Sequence, residues 1–212
     1  RIRLGSLEPL IVTEEFAYAL AANPKICPHF HLSLQSGSDS VLKRMNRHYT
    51  ADEYRECCKN LRTAFKNPAI TTEVIVGFPG ETEEEFAANE KFADDIHFYE
   101  MHVFKYSRRA GTRAAVMAGQ IPESLKGERS DILLALEERM SLEYRKSLLG
   151  TIQEVLLEEQ EILGEKTFMT GYTRQYVRAA IPREEGMKPG QILPVKMVEF
   201  LNNETIVGEI VR

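Results

Sequence analysis

The strongest constraint in this sequence is a change of rhythm near Tyr106. Before it, stretches rich in β-branched and aromatic residues alternate with segments whose apolar residues recur every three or four positions. After it come one long helical pattern and a succession of short strand-like segments. Strands alternating with helices of ten to fifteen residues specify βαβ units and a parallel sheet. Residues 1–7, 29–35, 70–76 and 98–106 read as the strands. Thr13, followed by Glu14 and Glu15, reads as a helix N-cap with acidic residues suited to the helix dipole. Asp39 can cap a short helix, Thr50 a longer one, and Thr82 with Glu85 forms a capping box. Asn23-Pro24 and Asn67-Pro68 are stop signals.

Pro122 reads as the first residue of a helix that runs to about Leu149, where Gly150 ends it. Residues 151–158, 166–172, 176–180, 191–201 and 204–211 then read as five short strands, the pattern of a small antiparallel barrel. The expected fold class is therefore α/β. A partial (βα) barrel of parallel strands occupies residues 1–145, and a small antiparallel β-barrel occupies residues 146–212. Four βα units make about half of an eightfold barrel; a small open sheet is the alternative arrangement.

Composition narrows the function classes. Hydrophobic residues are 43% and charged residues 28% of the 212, which excludes a collagen-like or disordered chain. No apolar run approaches the roughly 18 residues of a membrane span, and no secretory signal pattern is visible. The chain opens on Arg1, which leaves a processed start or a piece of a longer chain as expectations. Cys27, Cys57 and Cys58 are the only cysteines. Their number and spacing point to a reducing cytoplasm and not to a disulfide scaffold. Cys57 and Cys58 are adjacent in a helical pattern, their side chains about 100° apart, so no metal ligand is expected among the three. A net charge of −5 argues against nucleic-acid binding through overall charge, DNA included, and leaves room for a local basic patch.

Ligands of parallel α/β sheets bind at the carboxyl ends of strands. Three ends stand out. Gln35-Ser36-Gly37-Ser38 is a polar turn whose backbone N–H groups could face an anion; a plain β-to-α turn needs the same residues. Glu73 is a carboxylate among apolar strand residues, costly to bury without a partner. It precedes Gly77-Phe78-Pro79-Gly80, where glycine permits close backbone approach to a ligand. Lys105, Arg108, Arg109 and Arg113 put four cations into nine residues after the last strand. Arginine there suits carboxylate or phosphate recognition, while a solvated basic loop is the other reading.

These strings carry a resemblance. Arg3-Leu4-Gly5-Ser6-Leu7-Glu8-Pro9, His31-Leu32-Ser33-Leu34-Gln35-Ser36-Gly37-Ser38, Val41-Leu42-Lys43-Arg44-Met45-Asn46-Arg47, Val76-Gly77-Phe78-Pro79-Gly80-Glu81-Thr82 and Tyr106-Ser107-Arg108-Arg109-Ala110-Gly111-Thr112 resemble the radical SAM methylthiotransferases. The Ser-Leu-Glu-Pro and Cys-Pro-His strings look most like the branch that modifies threonylcarbamoyladenosine in tRNA; branches acting on isopentenyladenosine or on a ribosomal-protein aspartate are alternatives. The final 65 or so residues look like a TRAM domain, a small RNA-binding barrel. The resemblance implies an iron–sulfur transferase of tRNA modification, with S-adenosyl-L-methionine as cofactor and tRNA as partner. It implies Glu8, Gln35, Ser36, Glu73, Val76, Gly77, Phe78 and Tyr106 as cofactor contacts, and Ser107, Arg109 and Arg113 at the substrate end.

Family members carry two 4Fe-4S clusters on cysteine triads that this chain does not contain. The resemblance therefore implies a carboxyl-terminal fragment, inactive alone, whose catalytic cluster ligands lie in a missing amino-terminal part. Family members usually have Pro where Arg108, Ala110 and Arg113 stand, which leaves the stiffness of that loop open.

Residues 151–212 hold seven basic against ten acidic residues, so no generic basic footprint exists. Lys166, Arg174 and Arg178 are nonetheless interleaved with Phe168, Tyr172 and Tyr176, a composition suited to single-stranded RNA; aromatics in a barrel core explain it equally. Two other classes remain open on sequence: a non-catalytic RNA-binding module, and a complete open-sheet protein with a different ligand.

Overall fold

The computed structural model describes residues 1–211; Arg212, one of the seven basic residues counted above, lies outside them. The chain forms two compact units. One comprises Ile2–Ile26 and Phe30–Ser141; the other runs from Leu142 onward and includes Arg1 and Cys27–His29.

The first unit is a four-stranded parallel sheet in the order β1 (Ser6–Leu7), β2 (His29–Leu32), β3 (Ala69–Val76), β4 (Glu100–Lys105). Helices α1 (Glu14–Ala21), α2 (Asp39–Arg44), α3 (Ala51–Ala64) and α4 (Glu83–Ile96) connect the strands, and α5 (Glu123–Lys146) follows β4. The strand order follows the chain order, as successive right-handed βα crossovers produce. Thr13 accepts a hydrogen bond from the Phe16 N–H, and Thr50 with Glu53 and Thr82 with Glu85 form reciprocal capping boxes. Each such cap contributes about 1 kcal/mol by satisfying N–H groups that the helix leaves free.

One face of the sheet is dry. Phe30, Leu32, Leu34, Ile70, Val74, Val76 and Met101 pack with Tyr54, Cys58 and Leu61 of α3, Phe86, Phe92 and Ile96 of α4, and Leu133 and Met140 of α5. Side chains alternate along a strand, so His31, Thr71, Glu73 and His102 emerge on the other face. That face is polar. His31 Nδ1 lies 2.9 Å from Thr71 Oγ1, and the His31 and His102 rings are 6.0 Å apart. Strands of a purely parallel sheet usually read as apolar on both sides; here His31, Thr71, Glu73 and His102 interrupt that pattern.

Four local expectations are corrected. The first strand shrinks to Ser6–Leu7, with only an isolated Ile2–Ile26 bridge before it. Ser38, not Asp39, occupies the N-cap of α2, and the Asp39 carboxylate accepts from the Ala51 N–H at 2.7 Å instead. Pro122 sits one residue before α5, its carbonyl accepting from Lys126 N–H. The strand read as 151–158 continues to Leu163.

The second unit is a closed barrel of β5 (Ile152–Leu163), β6 (Lys166–Tyr172), β7 (Arg178–Pro182), β8 (Ile192–Phe200) and β9 (Thr205–Ile210), ordered β5-β6-β7-β9-β8. It is mixed and not wholly antiparallel: β7 pairs with β9 in parallel, Arg178 opposite Thr205. The intervening β8 pairs antiparallel with both β5 and β9, which brings β9 back alongside β7 and closes the barrel. Val155, Leu157, Phe168, Met169, Ala180, Ile181, Val195, Met197 and Ile206 fill it. Gly171 is required where β6 crosses β5, because a Cβ there would overlap the Leu156 carbonyl.

Candidate cofactor and substrate site

The carboxyl ends of β1 to β4 lie side by side, and most of the sequence-derived residues gather there. Beyond β2 the chain leaves regular pairing. The Tyr49 hydroxyl donates to the Ser33 and Leu34 carbonyls at 2.8 and 2.9 Å, and the Tyr54 hydroxyl donates to Leu32 O at 3.0 Å. Burial pushes the Tyr49 hydroxyl up to about 12, so it remains a donor. Released from the ladder, Gln35 adopts a left-handed backbone (φ 69°) while only 4% exposed. A buried non-glycine residue at positive φ costs of order 1–3 kcal/mol and persists where its surroundings over-determine it. Here Gln35 N–H donates to Glu73 O at 2.9 Å, Ile75 N–H donates to Gln35 O, and the Gln35 amide donates to the Glu73 carboxylate. Glu73 is thereby held, half-buried, on the polar face.

The β3 loop is built equally tightly. Gly77 has φ 71°, and its N–H donates to Glu81 Oε2 at 2.7 Å. Phe78 meets the Tyr106 ring edge-on at 5.3 Å between centroids. The Tyr106 N–H donates to Val76 O at 2.9 Å, while its hydroxyl oxygen is buried with no hydrogen-bond partner.

The sequence reading missed three residues that support this loop. Glu81, its side chain fully buried, pairs with the equally buried Arg129 at 2.7 Å. Burial pushes the Glu81 carboxyl up, and the Gly77 N–H and the Arg129 guanidinium offset only part of that rise. Lys126, 4% exposed, donates to Tyr106 O at 2.9 Å and to Glu123 at 2.6 Å, and its stem fills the space where a Gly77 side chain would lie. The signal was present. Stepping back from Leu133 by four and then three residues along α5 gives Arg129 and Lys126, so both cations fall on the helix's buried face.

Two expected cofactor contacts are not on the open face. Val76 is 0% exposed and belongs to the helix-facing core, because it shares strand parity with Val74. Ser36 is also 0% exposed. Of the two readings of this turn, the structure supports the plain β-to-α turn over an anion cradle. Ser36 N–H donates to Leu34 O, Gly37 N–H to Asn89 Oδ1 and Ser38 N–H to Ser36 Oγ, so the turn's own donors are satisfied internally. Glu8, Ser107, Arg109 and Arg113 are exposed. Arg108, by contrast, curls back to donate twice to Ala115 O.

The barrel cations do not gather as their sequence spacing suggested. Lys166 opens β6, whereas Arg178 of β7 stands opposite its last residue, Tyr172, about 20 Å away at the rise of a strand, and Arg174 follows two residues after that end. Arg178 is paired with Glu161, and Arg174 lies 3.8 Å from Glu154. Phe168 is core, 3% exposed, while the Tyr172 and Tyr176 rings stack at 4.3 Å.

S-Adenosylmethionine fits the open end of the sheet by the chemistry of its groups. Glu73 offers a half-buried carboxylate to a cationic group, and at the strand ends stands the Phe78–Tyr106 pair, with Phe78 7% exposed and the Tyr106 hydroxyl buried without a partner. Cys57 and Cys58 do not suit an iron–sulfur cluster. Burial pushes the Cys57 and Cys58 thiols up to about 11 and 12, opposite to what a thiolate ligand needs. Among the described residues no helix is long and apolar enough to cross a membrane.

Residues 2–93 match the radical SAM superfamily. Over 98% of its length the chain is 40% identical to the threonylcarbamoyladenosine tRNA methylthiotransferase MtaB of Thermotoga maritima, and over 94% it is 40% identical to that of Bacillus subtilis. It is 45% identical over 74% of its length to tRNA-2-methylthio-N(6)-dimethylallyladenosine synthase 1 of Mycobacterium marinum, covering 30% of that protein. The chain spans about half the length of the MtaB relatives, 46% and 44% respectively. In fold, it resembles the radical SAM enzyme coproporphyrinogen III oxidase of Escherichia coli, with a TM-score of 0.54 at 18% identity over 64% of this chain and 31% of that one. Over residues 2–93 the chain is thus similar to the radical SAM superfamily, and over nearly its whole length to the MtaB-type methylthiotransferases.

Proposed function

We propose that this chain is the carboxyl-terminal part of a cytoplasmic tRNA methylthiotransferase that acts on N6-threonylcarbamoyladenosine. The observation that carries the proposal is the convergence of Glu8, Gln35, Glu73, Gly77, Phe78 and Tyr106 at one end of a parallel sheet, in a chain similar over nearly its whole length to the MtaB proteins. Bound S-adenosylmethionine supplies both a transferable methyl group and, on reduction, radical chemistry. The protein's own contribution is positioning. Gln35 fixes the Glu73 carboxylate through its amide, and the edge-to-face Phe78–Tyr106 pair, with the Tyr106 hydroxyl buried and unpartnered, packs at the strand ends. Lys126, Arg129 and Glu81 keep the β3 loop in one conformation, so the site is formed before ligand arrives.

On this reading the cluster ligands would lie in an amino-terminal part of the polypeptide outside these 212 residues, and the chain alone is expected to be inactive. Residues 1–145 then correspond to the later strands of the radical SAM core and residues 146–212 to a TRAM-like domain, with tRNA as substrate. Ser107, Arg109 and Arg113 would face the substrate, and Lys166, Arg174 and Arg178 would contact RNA at separate points of the barrel.

Mass spectrometry of tRNA nucleosides from a strain lacking the gene tests this. Loss of 2-methylthio-N6-threonylcarbamoyladenosine with accumulation of its unthiolated precursor is expected. Loss of the dimethylallyl counterpart would move the substrate to the isopentenyladenosine branch, which the Mycobacterium marinum relative favours. Unchanged tRNA nucleosides would refute both.

A further inference from the structure

A cavity lies beside the strand ends. It has a volume of about 550 Å³ and is lined by residues of α2, the β3 loop and the turn after β4. That volume is within the roughly 300–1,000 Å³ of small-ligand sites. Its walls divide by chemistry. Lys43 and Arg113 supply positive charge, Asn46 an amide, and Phe78, Met45 and Met117 apolar surface. Lys43 and Arg113 are exposed, and among the described residues neither side chain has a hydrogen-bond or ion-pair partner. The neighbouring Arg44 is different. Its two terminal nitrogens bind the Glu85 carboxylate at 2.8 and 2.5 Å, so its charge is already neutralised and only its Nε–H lacks an acceptor.

The turn that carries Arg113 is fixed in place. The Thr112 hydroxyl accepts from Ala115 N–H, Arg108 donates twice to Ala115 O, and the Gln120 amide donates to Ala114 O and Met117 O at 3.0 and 2.9 Å. Three side chains thus hold open a pocket wall that presents an unpaired cation. Phe78 belongs both to this cavity and to the wall it forms with Tyr106, so an occupant lies next to whatever the strand ends hold.

We infer that this cavity takes one nucleotide unit of an RNA strand, its phosphate between Lys43 and Arg113 and its sugar or base against Phe78, Met45 and Met117. The inference rests on the proposed tRNA-modifying function and adds to it the place where a nucleotide flanking the modified adenosine is gripped. Two unpaired cations suit one phosphodiester, and an aromatic-and-methionine wall beside them suits the uncharged part of a nucleotide.

The test uses the 212-residue chain and a labelled RNA hairpin of anticodon-arm size, with affinity measured across a salt series. Lys43→Ala and Arg113→Ala are each expected to weaken binding about tenfold and to lower the slope of log affinity against log salt by about one. Lys59→Ala removes the same charge from an exposed pair with Glu56 outside the cavity and is expected to change neither. Far-UV circular dichroism checks that each variant is folded. Wild-type affinity and slope in both cavity variants would overturn the inference and leave the tRNA-modifying reading standing. No RNA binding by the wild-type chain would overturn the inference, while the tRNA-modifying reading stands or falls on the tRNA nucleosides of the deletion strain. Inorganic phosphate or adenosine monophosphate is titrated separately. Tight binding of either one to the wild-type chain, with RNA affinity unchanged in the variants, would make this a small-molecule phosphate site and overturn RNA as its occupant.

Discussion

Arg129→Ala tests the claim that α5 holds the β3 loop. The substitution leaves Glu81 with a fully buried carboxylate whose remaining partner is the Gly77 N–H at 2.7 Å. Removing one member of a buried pair costs about 3–5 kcal/mol, because the other charge is stranded away from water. With a urea slope of about 2 kcal/mol per molar, typical of a domain of this size, the unfolding midpoint should fall by about 2 M. Helices α1 to α4 and most of α5 belong to the sheet unit, so circular dichroism at 222 nm follows it and not the barrel. Lys91→Ala is the control. It breaks the exposed pair with Asp95, in which Lys91 is 75% exposed, and such pairs contribute about 0–1 kcal/mol. The double substitution Glu81→Gln, Arg129→Met should recover most of the loss, since it leaves no uncompensated charge. If Arg129→Ala behaved like Lys91→Ala, the buried pair would not be what fixes the loop.

Acid should reveal the Arg44–Glu85 pair. Hydrogen bonding to Arg44, above all, holds the Glu85 carboxyl down to about 2 from an ordinary 4.5. A carboxylate depressed in the folded state contributes stability that is present above its unfolded value and lost as pH falls through the folded one. Thermal midpoints measured from pH 6 to pH 2 should therefore drop less steeply in Arg44→Ala than in wild type between about pH 4.5 and 2; parallel curves would refute the linkage. The glycines of the two units should respond with opposite signs. Gly127→Ala, inside α5 with open space at its Cβ, should stabilise by about 0.5–1 kcal/mol. Gly171→Ala, whose Cβ would strike the Leu156 backbone, should destabilise the barrel by about 1–3 kcal/mol or more. Calorimetry of the two variants checks both.

What the sequence determined by itself was local. Thr13, Thr50 and Thr82 start their helices because a side-chain oxygen three residues before a free N–H is enough. The β-branched run from Ile70 to Val76 had to be a strand, and the change of rhythm after Tyr106 separated a sheet from a barrel. Parity along β3 already put Val76 with Val74 on the dry side, although the family pattern suggested otherwise. What only tertiary structure decided were the pairings between distant residues. Asn89 took the Gly37 N–H from 52 positions away and decided for a plain turn over an anion cradle. Arg129 reached Glu81 across 48 positions. β9 came to lie parallel to β7 once β8 had closed the barrel. Capping and alternation act within one turn or one strand. Whether a buried N–H, cation or carboxylate is satisfied depends on which element folds against it, and no local pattern carries that information.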